Sequence, residues 1–156
     1  MLVLGDGNLS FSHSLSKLEG CQLIATTFLT EDELFDFYGH DVKKTLQTLE
    51  ENPNVSLHHG VDATNIPTDI LDGKKADIAV FNFPCVQAPG DDSVKESQLS
   101  EIESNKKMLD EMFVRMKTLQ ISEVHISHKC KGTFNTWNVP ERCQNSGMKF
   151  SYAMVF

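Results

Sequence analysis

Two glycines set one residue apart, Gly5 and Gly7, follow the apolar run Met1-Leu2-Val3-Leu4. They precede Asn8-Leu9-Ser10-Phe11-Ser12, a polar segment leading into a helical pattern. Strand, Gly-x-Gly turn and helix is how an α/β sheet brings bare backbone up to a ligand. The first glycine permits the tight turn, and the second keeps a Cβ out of the ligand's path. The helix N-terminus behind them offers unpaired N–H groups. A Gly-x-Gly turn also occurs where nothing binds, so the other chemistry-bearing residues carry the decision. These are Asp62, Asn82-Phe83-Pro84 and His128-Lys129, each at the end of a strand-like run. Asp62 can accept from an exocyclic amine, and equally can cap its own turn. Asn82 offers a donor and an acceptor, Phe83 a stacking face, and Pro84 a fixed turn that aims them. That set suits a planar nitrogen heterocycle, against the plainer alternative of a Phe-Pro turn ending a strand.

The elements that position these residues alternate. Phe11, Leu15 and Leu18 share a helical face, with Gly20 as the stop. Cys21 to Phe28 reads as a second strand, and Asp32 to Glu51 as a helix ended by Asn52-Pro53. Val55 to Asp62 alternates like a third strand, and Ala76 to Phe81 reads as a buried fourth. Gln87 to Val94 reads as an acidic surface loop. Leu99, Ile102, Leu109, Met112, Phe113, Met116 and Leu119 mark a long amphipathic helix, with Met108, Met112 and Met116 as core. Glu123 to His128 is strand-like, and Lys149 to Phe156 reads as the last strand. The expected fold is therefore α/β, with a mainly parallel sheet, helices on both faces and a doubly wound, Rossmann-like order. Ligands bind such sheets at the carboxyl ends of the strands. Here those ends are Gly5 to Ser10, Thr26 to Glu31, Asp62-Ala63, Asn82 to Cys85 and His128-Lys129.

At 156 residues the chain is long enough for one domain, residues 1–156, with a core that needs no metal or disulfide. Its 40% hydrophobic and 23% charged content is ordinary for a globular protein. Four cysteines show no Cys-x-x-Cys spacing, so reduced thiols in an intracellular compartment are the expectation. No apolar run is long enough to cross a bilayer. A net charge of -8 argues against nucleic-acid binding over the whole surface. Lys129, Lys131, Arg142 and Lys149 nevertheless make the last part locally basic. His125, His128 and Cys130 do not form a metal site, because residues three apart on a strand face opposite ways. Cys85 and Trp137 read as packing residues, and His58-His59 as strand surface. The chain opens inside a strand, which implies a tight start or missing upstream sequence.

Two cofactors compete for the crevice. A dinucleotide needs a third small residue after Gly-x-Gly-x-x and an acid at the end of the second strand. Ser10 stands at the first position, and the nearest acids, Glu31 and Asp32, come late. S-adenosylmethionine has no pyrophosphate to cradle. It needs the glycine loop, a ribose partner after the second strand and a polar group after the third, where Asp62 lies.

Five blocks carry a resemblance. They are Leu4-Gly5-Asp6-Gly7-Asn8-Leu9-Ser10-Phe11-Ser12, His59-Gly60-Val61-Asp62-Ala63-Thr64, Val80-Phe81-Asn82-Phe83-Pro84, Val124-His125-Ile126-Ser127-His128-Lys129 and Phe134-Asn135-Thr136-Trp137-Asn138. In this order they resemble the Rossmann-like domain of the large-subunit ribosomal RNA (uridine-N3)-methyltransferase family. The same domain is also found fused to a ferredoxin-fold anticodon-binding module. The resemblance implies a class I S-adenosylmethionine-dependent fold and a structured ribosomal RNA substrate, in the cytoplasm or nucleolus. It implies that Gly5, Asp6, Gly7, Asn8, Ser10, Asp62 and Ala63 serve the cofactor. Leu29 stands where many members have an acid, so the usual ribose clamp is missing unless Glu31 substitutes. Asn82, Phe83 and Pro84 would face the base, with His128 and Lys129 beside the nucleic acid and supplying charge. Cys85-Val86-Gln87 replaces the family's His and Gly, which keeps a non-catalytic binding module as the alternative. The family's aromatic tail would follow Phe156, so the sheet is expected to be truncated at its C-terminal edge. The last strand is then left open to pairing.

Overall fold

A computed structural model describes residues 1–73, 75–86 and 95–155, with side chains for all of these except 95–98. Five parallel strands form one sheet in the order β3-β2-β1-β4-β5. They are β1 (Leu2–Leu4), β2 (Leu23–Thr26), β3 (Val55–His58), β4 (Ile78–Asn82) and β5 (Glu123–Ser127). The helices are α1 (Ser10–Leu15), α2 (Glu31–Tyr38), α3 (Asp41–Glu50), α4 (Lys95–Thr118) and α5 (Val139–Asn145). This is the doubly wound α/β, Rossmann-like arrangement the sequence implies. The order reverses between β1 and β4, and that reversal opens a crevice at the strands' carboxyl ends.

The two-residue period of the strands divides the core into two layers. Leu2 and Leu4 of β1 join Ala79 and Phe81 of β4 on one face, under Leu109, Met112, Phe113 and Met116 of α4. Val3 points the other way with Leu23 and Ala25, and packs with Leu9, Leu46 and Leu49. A central parallel strand must be apolar on both faces, which is why Leu2-Val3-Leu4 reads as an uninterrupted run.

The boundaries differ from expectation in several places, the first being β3, which ends at His58 and leaves Val61 and Asp62 beyond the strand. α1 stops at Leu15, and Leu18 is 56% exposed rather than on the buried face. The expected helix from Asp32 to Glu51 is two helices, because Gly39 adopts φ +66° and turns the chain. α2 begins at a reciprocal cap in which Thr30 and Glu33 satisfy each other's backbone N–H groups. Leu99 is 70% exposed, so the buried stripe of α4 starts later, at Ile102. Lys149 to Val155 forms no strand, and Tyr152, Met154 and Val155 are exposed. Strand propensity reports how well a residue suits a sheet face, and the partner must also be there. The Gln87–Val94 loop lies outside the described residues.

Beyond β5, a short 3₁₀ segment at Gly132–Trp137 and helix α5 seat Trp137 in the larger core layer, as a packing residue. Arg142 fastens them. Its Nε donates to the Trp137 carbonyl at 2.7 Å, and another guanidinium nitrogen lies 2.5 Å from Asp110 on α4. Arg142 is thus a structural clamp rather than part of a basic surface.

Candidate active site

The crevice between β1 and β4 is a cleft of about 190 Å³, bordered by Gly5, Asp6, Gly7, Phe11, Asn82 and Phe83. A second depression of about 140 Å³, beside Gln22, Asn54 and Ser56, lies at the amino end of β2 and β3. That is the wrong end of a parallel sheet for a ligand.

The glycine loop is tied to β2 through Thr26, which is fully buried. Its hydroxyl donates to the Val3 carbonyl at 2.9 Å and accepts from Gly5 N at 3.2 Å. Asp6 N donates to the Thr26 carbonyl at 2.9 Å. Gly5 sits at φ +56°, and a Cβ there would meet the Phe81 ring at 3.2 Å. At Gly7 the approach is already taken, since a Cβ would stand 2.3 Å from the hydroxyl of Tyr38.

The N–H groups of α1 are not all open, contrary to expectation. The Asp6 carboxylate accepts from Ser12 N at 2.6 Å, and Asn8 Oδ1 accepts from Ser10 N at 3.2 Å. The chain's own carboxylate therefore occupies the helix N-terminus. A pyrophosphate would meet a negative charge where it needs donors, which weighs against a dinucleotide.

At the neighbouring strand ends, the Thr27 hydroxyl donates to the Leu29 carbonyl at 2.7 Å and pairs with His59 Nδ1 at 2.8 Å. With its proton committed to Leu29, the hydroxyl accepts from His59, which fixes the ring's Nδ1–H tautomer. His58 bonds Ser56 at the strand surface. Asp62 Oδ1 accepts from both Thr64 N and the Thr64 hydroxyl at 2.8 Å, so this carboxylate does cap its own turn. Arg115 of α4 donates twice to the Ile66 carbonyl and anchors the same loop from below. Ala63 is half-buried against the core, and Glu31 is exposed in the first turn of α2.

At the end of β4, Asn82 Oδ1 accepts from the Ser127 hydroxyl at 2.7 Å. Phe83 follows with φ +50° and 57% exposure, while Pro84 is buried. A left-handed phenylalanine costs about 1–3 kcal/mol, and such strain persists only where the surroundings impose it. Two groups impose it here. Phe83 N donates to the Ser127 carbonyl at 2.8 Å, and Val86 N to Asn105 Oδ1 at 2.6 Å. Asn105 is buried on α4 and also donates to the Glu101 carbonyl. Ser127, Asn105, Arg115 and Tyr38 are supports that sequence reasoning missed. Asn105 carried a signal: a polar residue inside an apolar stripe, between Ile102 and Leu109. Cys85 is exposed rather than buried, and partial desolvation with Glu101 raises its thiol pKa against the pull of Lys129.

His128 is not on the Asn82 side. One residue past Ser127, it takes the opposite face and packs on Trp137, with ring centroids 4.6 Å apart. Burial lowers its pKa, so it is neutral at pH 7 and supplies no charge. Its Nε2 has no partner among the described residues. Lys129 Nζ lies 5.0 Å from the centre of the Phe134 ring and is exposed. Among the described residues, no group of His, Cys, Asp or Glu is arranged to hold a metal ion. No helix described is long and apolar enough to cross a membrane.

Sheet order, switch-point cleft and glycine loop together define a Rossmann-like α/β protein. The family model for BMT5-like proteins, described as rRNA (uridine-N3-)-methyltransferase BTM5-like, matches residues 2–156, and the chain belongs to that family. It is 33% identical over 146 residues to heavy metal-associated isoprenylated plant protein 41 of Arabidopsis thaliana, covering 90% of this chain and 27% of that protein. It is 29% identical over 154 residues to uncharacterized protein At4g26485 of the same plant, covering 96% of this chain and 72% of the other. The chain thus spans about a quarter of the first relative's length. No solved structure matches.

Proposed function

We propose that this chain is an intracellular, S-adenosylmethionine-dependent RNA methyltransferase acting on N3 of a uridine in large-subunit ribosomal RNA. The observation that carries the reading is the cleft itself. It brings Gly5, Asp6 and Gly7 together with Asn82 and a strained, exposed Phe83. The family membership supports the reaction class.

The residues present fit the cofactor. A carboxylate at the head of α1 suits a ligand that is cationic at its ammonium and sulfonium, while the sides of Gly5 and Gly7 that a Cβ would take are where Phe81 and Tyr38 come close. Asp62 retains a second carboxylate oxygen for the adenine amine, with Ala63 beside it; these two and the exposed Asn8, Ser10 and Glu31 lie outside the lining of the cleft. When bound, the cofactor supplies an electrophilic methyl group.

The remaining work belongs to alignment and proton loss. Ser127 holds the Asn82 amide by its oxygen, which leaves the Nδ2 hydrogens for a uracil carbonyl. That donor would stabilise the negative charge spreading onto the carbonyl as N3–H passes its proton to solvent water. Phe83 presents its ring for stacking on a base swung out of its helix, and Pro84 locks the turn behind it. Lys129 and Lys131 meet phosphates outside the cleft.

Calorimetry with S-adenosylmethionine, S-adenosylhomocysteine and NAD tests the reading. The first two are expected to bind and NAD is not. A chain that binds none of them is a binding module instead, and the departures at Leu29 and Cys85-Val86-Gln87 would then mark lost catalysis.

A further inference from the structure

The second glycine of a Gly-x-Gly turn is bare so that something can come close, and in this protein that something is Tyr38. Its hydroxyl stands 2.3 Å from where a Cβ on Gly7 would be. No ligand atom can rest on that face of Gly7 while the phenol stays. Tyr38 is the last residue of α2, which is capped at Thr30 and packed through Leu34 and Phe35, so its C-terminal turn is the part left exposed. Leu34 is the buried residue of α2, and Phe37 beside Tyr38 is 67% exposed. Gly39, at φ +66°, follows at once and can take up a change of backbone direction.

We propose that Tyr38 is the gate of the glycine loop: it covers Gly7 when the site is empty, and α2 swings about Gly39 to admit the ligand. The proposal rests on the reading of Gly5–Gly7 as the cofactor loop. The gate lowers apparent affinity by the fraction of molecules that are open, and it makes access to the covered side of Gly7 depend on Tyr38, which does not itself border the cleft. Whatever packs on Phe37 and the outer face of α2 would then control loading of the site.

Two measurements on the same proteins separate the gate from the cofactor reading. The first is amide hydrogen exchange without ligand, on the parent, Tyr38→Phe, Tyr38→Ala and a control at an exposed α2 position, Asp36→Ala. Exchange over residues 5–10 is expected to be faster in Tyr38→Ala, intermediate in Tyr38→Phe and unchanged in the control. The second is titration with S-adenosylhomocysteine. Tyr38→Ala is expected to bind on the order of tenfold tighter than the parent, the gain that follows if the open form is roughly 10% populated. Equal exchange in parent and Tyr38→Ala overturns the gate, as does weaker binding by Tyr38→Ala. If neither protein binds while exchange over residues 5–10 still accelerates, the cover over Gly7 stands and the cofactor reading falls.

Discussion

The hydroxyl of Ser127 donates to the amide oxygen of Asn82 at 2.7 Å, across the last rung of the β4–β5 pairing. One hydrogen bond thereby decides which end of the amide faces the cleft. Ser127→Ala removes it and lets the amide turn. Turnover on RNA is expected to fall about 3- to 10-fold, the scale of one hydrogen bond of roughly 0.5–1.5 kcal/mol. KM and melting temperature should hardly move. A rise in KM with kcat unchanged would give Ser127 a ground-state binding role instead.

Phe83 sets stability against function. Phe83→Gly relieves the left-handed strain and is expected to raise unfolding free energy by about 1 kcal/mol. The same change removes the stacking ring, so RNA affinity should drop. Chemical denaturation and an RNA-binding titration read the two effects. A destabilised Phe83→Gly would mean the ring is held by packing rather than merely tolerated.

Asp6 does two jobs that Asn can separate. Asp6→Asn keeps an oxygen for Ser12 N, whereas Asp6→Ala loses the cap and should cost about 0.5–2 kcal/mol. Without the negative charge, Asp6→Asn should bind S-adenosylmethionine less well, and by a larger factor than S-adenosylhomocysteine, which lacks the sulfonium. Equal losses for the two ligands would place Asp6 away from the sulfur.

Burial lowers the pKa of His128, so its neutral form belongs to the folded state. The unfolded chain takes up the proton first, at about pH 6.5. Stability from this group is therefore complete above that value and is lost as pH falls through the lower folded pKa. His128→Phe should flatten the decline in melting temperature below about pH 6.5. His58, lowered chiefly by burial, shifts in the same direction and contributes to the slope that remains.

Lys129 and Lys131 are exposed, and each is expected to release about one counterion on meeting RNA. Replacing either with alanine should shallow the slope of log affinity against log salt by roughly one. Asn82→Ala should leave that slope unchanged while lowering turnover. A parent protein whose RNA binding ignores salt would remove the phosphate contacts from the reading.

By itself the sequence determined the layer architecture and the carboxyl ends of β1, β4 and β5 to within one residue, whereas β2 and β3 stop at Thr26 and His58, short of the expected Phe28 and Asp62. Apolar runs such as Leu2-Val3-Leu4 and Ala79-Val80-Phe81 have no polar residue to turn outward, so they are central parallel strands. Glycines and the Asn82-Phe83-Pro84 turn marked where those strands stop, because local backbone constraints are written in residue type. Tertiary structure decided what depends on a partner distant in sequence. Tyr38 covers Gly7 from 31 residues away, Ser127 orients Asn82 across 45, and Arg115 anchors the Ile66 loop across 49. The face of His128 was legible from strand period, but its neutral, aromatic setting needed Trp137 to arrive beside it. Lys149 to Val155 has the composition of a strand and is none, because a strand is made by its neighbour's hydrogen bonds, and no neighbour pairs with it among the described residues.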